Sequence, residues 1–398
     1  MSIEEIAVIG SGLMGHGIAQ VAAMSGQEVS LIDISEAALE QAMQKIGDSL
    51  NRLHEKGRIR ENPQSVVKRI KTTTSLSEGV SKADYVIEAV FEDINLKKEI
   101  MSETDSHAPR HAFLATNTSS LPPTVIAEST RRREKVIGMH WMNPPQIMKL
   151  VEIVRSRYTD RETIQGTIDL CRRYGKETIV AQKDVWHFLS GRAHSGWLFE
   201  AHMMYLRKEA DIKELDAVAR YKIGLPMGAF ELFDFIGNVD VRTKGLKSAE
   251  EILKIYPEFE PWPVFLTLNQ HLTKDLWGPM SEKGLSGIKT GRGFYTYPEG
   301  KYVKPEIPPE LAEKVEPLHL LAPAINGAAW CVTNGLGGVS DVNKAFQLGY
   351  GWPRGIFEYV DEYGVDNIVG VLKAKEAKAP EWARDFYRVD PLLATLKS

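Results

Sequence analysis

The chain has 398 residues, enough for two or three domains with well-buried cores. Its formal net charge is −4 with 26% charged residues, which gives no reason to expect a nucleic-acid partner. Cys171 and Cys331 stand far apart, without the spacing of metal ligands, and no apolar run approaches membrane length; a cytoplasmic protein with no metal centre is the expectation.

Ile6-Ala7-Val8-Ile9 reads as a short buried strand at the very start, where a signal peptide would otherwise lie. Gly10-Ser11-Gly12-Leu13-Met14-Gly15 follows at once, then a helical pattern from His16 to Ser25 and a second strand, Glu28–Ile32, ending in Asp33. This is the full context of a dinucleotide-binding turn. The glycines permit a tight turn, close approach of a pyrophosphate and close helix packing, and the acid binds ribose hydroxyls. The helix N-terminus offers unpaired N–H groups and the positive end of its dipole to the phosphates. Asp33 repels a 2′-phosphate and no Arg directly follows it, so the expected cofactor is NAD.

Further strands are expected at Asp84–Val90, Ala112–Thr116, Val136–Met139, Leu150–Val154 and Glu177–Ala181. Ser120 is placed to cap a short helix with Pro122 in its first turn, running towards Glu128. The basic run Arg131-Arg132-Arg133 suits a solvated turn between that helix and the next strand. His140 emerges from the strand-like run before it, and Pro144-Pro145 ends regular structure behind it. Glu152 falls within the next strand-like run, a poor place for a carboxylate without a partner. A His on one strand and a Glu on its neighbour can pair, so that the Glu holds one ring nitrogen and the other takes a proton from an alcohol. A lone His is more often a satisfied core residue; the cofactor turn upstream is what favours the chemical reading.

From about Trp186 the pattern changes to long helical periods, as at Gly196–Arg207 and Ile212–Tyr221. The segment Gly224-Leu225-Pro226-Met227-Gly228-Ala229-Phe230-Glu231 returns 127 residues later as Gly351-Trp352-Pro353-Arg354-Gly355-Ile356-Phe357-Glu358, and Gly237 and Gly364 keep the same offset. One helical domain has been duplicated. The expected organisation is an α/β Rossmann domain over residues 1–184, a first all-α copy over 185–300, a Pro-rich linker over 301–317 and a second copy over 318–398.

The chain resembles the 3-hydroxyacyl-CoA dehydrogenases, particularly the dehydrogenase portion of archaeal-type fusions with enoyl-CoA hydratase. The likeness spans the glycine turn, Val86–Asp93, Asn117-Thr118-Ser119-Ser120, the His140 and Glu152 segments, the Gly-Leu-Pro-Met-Gly run and Lys289–Phe294. It implies His140 as catalytic base, Glu152 as its orienting partner and Ser119 as a contact to the reacting oxygen. It also implies cofactor contacts from Gly10, Gly12, Leu13, Met14, Gly15, Asp33, Ala89, Glu92, Lys97, Asn117 and Asn143. Ser49 and Lys56 look like contacts to the coenzyme A of an acyl-CoA substrate, although an exposed Ser and Lys need no such explanation. The second helical copy would stand in for a partner subunit, leaving a monomer or a homodimer. Fused relatives continue into a hydratase domain, and no hydratase activity is expected of these residues. One departure matters: after Lys183-Asp184-Val185 the family reads Pro-Gly-Phe, two small apolar residues and Asn-Arg, whereas this chain reads Trp186-His187-Phe188-Leu189-Ser190-Gly191-Arg192. Gly191 stands where the family carries an active-site Asn, so a slow enzyme or a silent paralogue that still binds NAD and acyl-CoA is the alternative.

Overall fold

The protein is seen in a computed structural model that describes residues 2–396. It divides into two compact units, Met1–Asp184 and Val185–Ser398. The first is built on an eight-stranded sheet in the order β3-β2-β1-β4-β5-β6-β7-β8. The strands are β1 (Glu5–Ile9), β2 (Glu28–Ile32), β3 (Ile70–Thr73), β4 (Tyr85–Glu88), β5 (Phe113–Thr116), β6 (Val136–Trp141), β7 (Leu150–Arg155) and β8 (Glu177–Ala181). Every pair is parallel except β6 with β7. Central strands such as Tyr85-Val86-Ile87-Glu88 are buried at every residue, because helices cover both faces of a parallel sheet. The chain leaves β1 for β2 and β3 on one side and returns to β4 on the other. That reversal opens a crevice at the carboxyl ends of β1 and β4, where this class of sheet takes its ligands.

Strand β3 was not expected from the sequence: Ile70-Lys71-Thr72-Thr73 has one buried residue and lies at the sheet edge, so its pattern is weak. The expected strand Asp84–Val90 stops at Glu88, whose carboxylate accepts the Val90 N–H at 2.7 Å and turns the chain. Ser120 does not cap a helix. The helix is Pro123–Ala127 with Pro122 at its cap, and Thr118 Oγ1 takes the N–H groups of Ser120 and Leu121 instead. Nor is the basic run wholly solvated, since Arg132 folds inward onto Asp105 and neighbouring carbonyls.

The second unit is helical, and its elements repeat with an offset of 127 residues. Helices Ser190–Leu206, Ile212–Ala217, Ala229–Ile236 and Asn238–Ile255 recur as Leu318–Thr333, Val339–Lys344, Glu358–Tyr363 and Val365–Lys378. Fine detail repeats too. Asp216 accepts the Phe230 N–H at 3.0 Å, and Asn343 accepts the Phe357 N–H at 3.0 Å. A side chain at Gly228 would collide with Asp216, and one at Gly355 with Asn343. The copies meet where helix Ser190–Leu206 crosses Leu318–Thr333; a Cβ on Gly196 would stand 3.0 Å from Ala324 Cα. The expected helix Ile212–Tyr221 keeps α geometry only to Ala217 and widens into a π turn, Val218–Ile223, closed by left-handed Gly224. The Pro-rich segment packs on the first copy, with Arg220 and Tyr221 donating to the carbonyls of Pro305 and Ile307.

Candidate active site

At the carboxyl end of β1, Gly10 turns with φ +95°, and a Cβ there would lie 2.6 Å from the Ala89 carbonyl oxygen. A Cβ on Gly15 would strike the Gly10 carbonyl, so the first turn of helix Gly15–Met24 packs directly on the loop. Gly12, by contrast, faces open space, which leaves the backbone accessible to a pyrophosphate. Asp33 closes the loop from β2: its carboxylate accepts from Ser11 N and Oγ, both at 2.8 Å, and from Ser35 N at 3.1 Å. These residues fit a dinucleotide. Leu13, Ile34 and Phe91 follow β1, β2 and β4 and are 67%, 95% and 86% exposed. Such apolar side chains at a ligand-binding edge are fit to flank an adenine ring. Ile34 and Phe91 were not singled out in the sequence, where one exposed apolar residue means little.

After β4 comes a buried polar network. Glu88 takes Lys97 Nζ at 2.7 Å and Thr116 Oγ1 at 2.6 Å. Lys97 also reaches Glu92 at 3.4 Å. Glu92 stands at the surface edge of this network; partial desolvation would raise its carboxyl, but Lys97 and the hydrogen bonds from Thr118 and Ser119 prevail and hold it below the ordinary range. Glu92 Oε1 receives Thr118 Oγ1 at 2.6 Å, Ser119 N at 3.0 Å and Ser119 Oγ at 3.4 Å. The structure therefore joins Glu92 to Ser119, whose side chain is exposed. Lys97 has a side-chain exposure of 1%, so it acts on the surface through Glu92. Glu88 and Thr118, which organise the network, were legible in the sequence only as parts of a strand and a loop.

His140 and Glu152 occupy opposite positions of the β6–β7 pair. Their side chains meet with His140 Nδ1 2.9 Å from Glu152 Oε2, at side-chain exposures of 13% and 0%. A carboxylate on Nδ1 fixes that nitrogen as the N–H donor and leaves Nε2 as the basic one. Asn117, just past β5, accepts the N–H of Trp141 at 3.0 Å and ties the Asn-Thr-Ser-Ser loop to the strand that carries His140. Asn143 is exposed beyond β6. Ser49 and Lys56 lie seven residues apart on and just past helix Glu36–Glu55, Ser49 partly buried and Lys56 exposed. In the helical unit Gly191 lies in the first turn of helix Ser190–Leu206, after a turn in which His187 and Phe188 take left-handed φ values of 66° and 53°. Among the described residues no group of His, Cys, Asp or Glu is placed to hold a metal ion, and no helix is long and apolar enough to cross a membrane.

A switch-point crevice with a glycine turn, an acid at the end of β2 and a His–Glu pair on adjacent strands define a dinucleotide-dependent oxidoreductase. The comparisons make the class specific. The model of the 3-hydroxyacyl-CoA dehydrogenase NAD-binding domain matches residues 5–185, and that of the C-terminal domain matches residues 188–297 and 319–396. The chain belongs to the 3-hydroxyacyl-CoA dehydrogenase family and is an NAD-dependent oxidoreductase. It is 35% identical over 302 residues to the mitochondrial hydroxyacyl-coenzyme A dehydrogenase of Rattus norvegicus, covering 74% of this chain and 91% of the relative. It is 36% identical over 306 residues to a probable 3-hydroxybutyryl-CoA dehydrogenase of Bacillus subtilis, covering 75% and 99%. The crystal structure of 3-hydroxybutyryl-CoA dehydrogenase from Escherichia coli superposes with a TM-score of 0.82 at 24% identity, covering 99% of this chain and 98% of that one, a likeness of fold.

Proposed function

We propose that the protein interconverts (S)-3-hydroxyacyl-CoA and 3-oxoacyl-CoA thioesters of short, 3-hydroxybutyryl-like chain length, with His140 and Glu152 acting as a dyad. The observation that carries this reading is the 2.9 Å contact between His140 Nδ1 and Glu152 Oε2 in a chain of this family. His140 Nε2 takes the proton of the 3-hydroxyl in the oxidation and returns it to the forming alkoxide in the reduction. Glu152, fully buried, stabilises the imidazolium that forms and keeps the ring from turning. Ser119, anchored through its backbone N–H on Glu92 at 3.0 Å, turns its hydroxyl to the reacting oxygen. NAD, when bound, accepts or returns the hydride. Gly10, Gly12, Leu13, Met14 and Gly15 would cradle it, Asp33 its ribose, and Ala89, Glu92, Asn117 and Asn143 its nicotinamide half. Ser49 and Lys56 would meet coenzyme A. The two helical copies, packed on one another, take the place of a pair of subunits. The test is NADH oxidation with acetoacetyl-CoA set against free acetoacetate: turnover of the thioester supports the reading, and turnover of the free acid alone overturns it.

A second reading is favoured by Gly191, which gives no side chain to a position where the family carries an Asn. In it the chain binds NAD and acyl-CoA but turns over weakly or not at all. Binding of NADH and acetoacetyl-CoA without NADH oxidation would establish it.

A further inference from the structure

The turn that joins the strand of His140 to the strand of Glu152 is short of donors of its own. Pro144 and Pro145 have no N–H, and the N–H groups of Ile147 and Met148 both go to the Pro144 carbonyl at 3.0 Å. Pro145 is buried, where a carbonyl needs a donor. One side chain from outside the turn supplies it: Lys176 Nζ donates to the carbonyls of Pro145 and Met148 at 2.6 Å and 2.7 Å. The base of that lysine is fixed. Left-handed Gly175, φ 67°, follows helix Arg161–Arg173, and the Lys176 N–H bonds to the Cys171 carbonyl at 2.9 Å. The next residue, Glu177, opens β8 and donates to the Lys149 carbonyl at 2.9 Å.

The ammonium lies 5.6 Å from the centre of the Trp141 ring, whose residue follows His140 in β6. Among the described residues it meets these two carbonyls and this ring, and no carboxylate. Burial lowers its pKa to about 8, so it is still charged at neutral pH. Placing a cation there costs desolvation that an ordinary surface turn does not require. The turn it holds is packed on the cofactor side. A Cβ at Gly17, in helix Gly15–Met24, would lie 2.6 Å from Gln146 Oε1 and 3.1 Å from Pro145 Cδ. Only a glycine there lets the turn come so close to the helix. At the start of the turn stands Asn143, exposed, with a side-chain amide that bonds to none of the described residues. The backbone of the turn therefore sets where that amide stands.

We propose that Lys176 is a positioning residue for the cofactor: by holding the Pro145 and Met148 carbonyls it fixes the turn against helix Gly15–Met24, and so places Asn143 at the nicotinamide half of NAD. The proposal rests on the reading that gives Asn143 that contact, and adds the residue that places it. Lys176, the turn and the glycine-turn helix all belong to the unit Met1–Asp184.

The test sets the affinity for NADH against that for ADP-ribose, which lacks the nicotinamide, by calorimetric titration of the wild type, Lys176→Met, Lys176→Arg and Asn143→Ala. The expected result is a ratio of Kd, NADH over ADP-ribose, that rises at least about 10-fold in Lys176→Met and in Asn143→Ala. The double variant should go no further, because both changes remove one contact. Lys176→Arg keeps a cation and its donors and should recover most of the loss. In turnover of acetoacetyl-CoA, the loss in Lys176→Met should fall on kcat and on KM for NADH, leaving KM for the thioester within about 3-fold. Lys176→Gln takes the place of Lys176→Met if that variant does not fold. An unchanged ratio, or equal weakening towards both ligands, would make Lys176 a structural tie alone and overturn the proposal. A ratio that moves in Lys176→Met but not in Asn143→Ala overturns it too, and places the fault in the reading of Asn143.

Discussion

Lys97 Nζ and Glu88 Oε1 lie 2.7 Å apart with side-chain exposures of 1% and 0%, an ion pair shut away from solvent beneath the cofactor edge. Glu88 is also the acceptor for Thr116 and for the Val90 backbone, so the pair joins β4, β5 and helix Ile94–His107. Removing one partner leaves the other charge buried and uncompensated. Lys97→Ala is therefore expected to destabilise the dinucleotide unit by about 3–5 kcal/mol. It should also weaken NADH binding, because Glu92 loses the cation that helps to hold its carboxyl below the ordinary range. Urea unfolding and a fluorescence titration read the two effects; a change below about 1 kcal/mol would show that the pair does not organise this edge.

His140→Gln should lower kcat by about 10²–10⁴-fold while NADH affinity stays within a few-fold, because the ring acts on the substrate oxygen. Glu152→Gln keeps the size of the side chain and a contact at Nδ1 but removes the charge that stabilises the imidazolium. Its loss should fall mainly on kcat. Retention of most of the rate by His140→Gln would dismiss the dyad.

Much of this site was legible in the sequence, and the reason is local chemistry. The glycine turn, Asp33 and the strand–helix–strand frame lie within the first 33 residues, so their relation is fixed by short-range geometry. His140 and Glu152 became a pair on the page because two apolar runs flanking Pro144-Pro145 had to be neighbouring strands. The duplication was visible because glycines recur at one offset, and one pair, Gly228 and Gly355, recurs because Asp216 and Asn343 fill the same place in each copy. What escaped was long-range. Glu92 meets Ser119 across 27 positions. Ser120 misled for a local reason: the two positions its side chain would cap are Pro122 and Pro123, which have no N–H, and Thr118 takes the N–H groups of Ser120 and Leu121.

His202 sits between Phe230, Phe233, Trp277 and Phe294, with Nδ1 on the Leu198 carbonyl at 2.7 Å. Burial pushes its pKa down to about 3. Between that value and the ordinary 6.5, the unfolded chain binds a proton that the folded chain refuses. The contribution is complete above pH 6.5 and is lost as pH falls towards 3, by about 1.4 kcal/mol per pH unit. His202→Phe keeps the ring and removes the titration. From pH 7.5 to pH 5, the wild type should lose roughly 2 kcal/mol more stability than the variant. Urea midpoints at the two pH values measure this, and an unchanged gap between the proteins would refute it.

Gly191 stands where the resemblance read from the sequence implies an active-site Asn, and the surroundings accept a side chain there. A Cβ at Gly191 would lie 3.6 Å from His187 Cβ, 3.8 Å from His187 Nδ1 and 4.0 Å from Tyr350 Oη, all ordinary contacts. Gly191→Asn is thus expected to fold, and to gain slightly in helix stability because glycine is a poor helix former. If turnover is limited by a missing amide, the substitution should raise kcat by up to about 10²-fold. NADH affinity should not move, since the substitution leaves the glycine turn and Asp33 as they are. The turn before it is altered as well, and His187 holds a left-handed backbone that glycine adopts without strain. The companion variant therefore combines Gly191→Asn with Trp186→Pro and His187→Gly. A gain only in the combined protein would mean that the amide needs the family's turn to aim it. No gain in either, with the fold intact by circular dichroism, would mean that Gly191 is not the missing part. Should the parent enzyme also fail on every acyl-CoA tried, the silent paralogue becomes the better account of the chain.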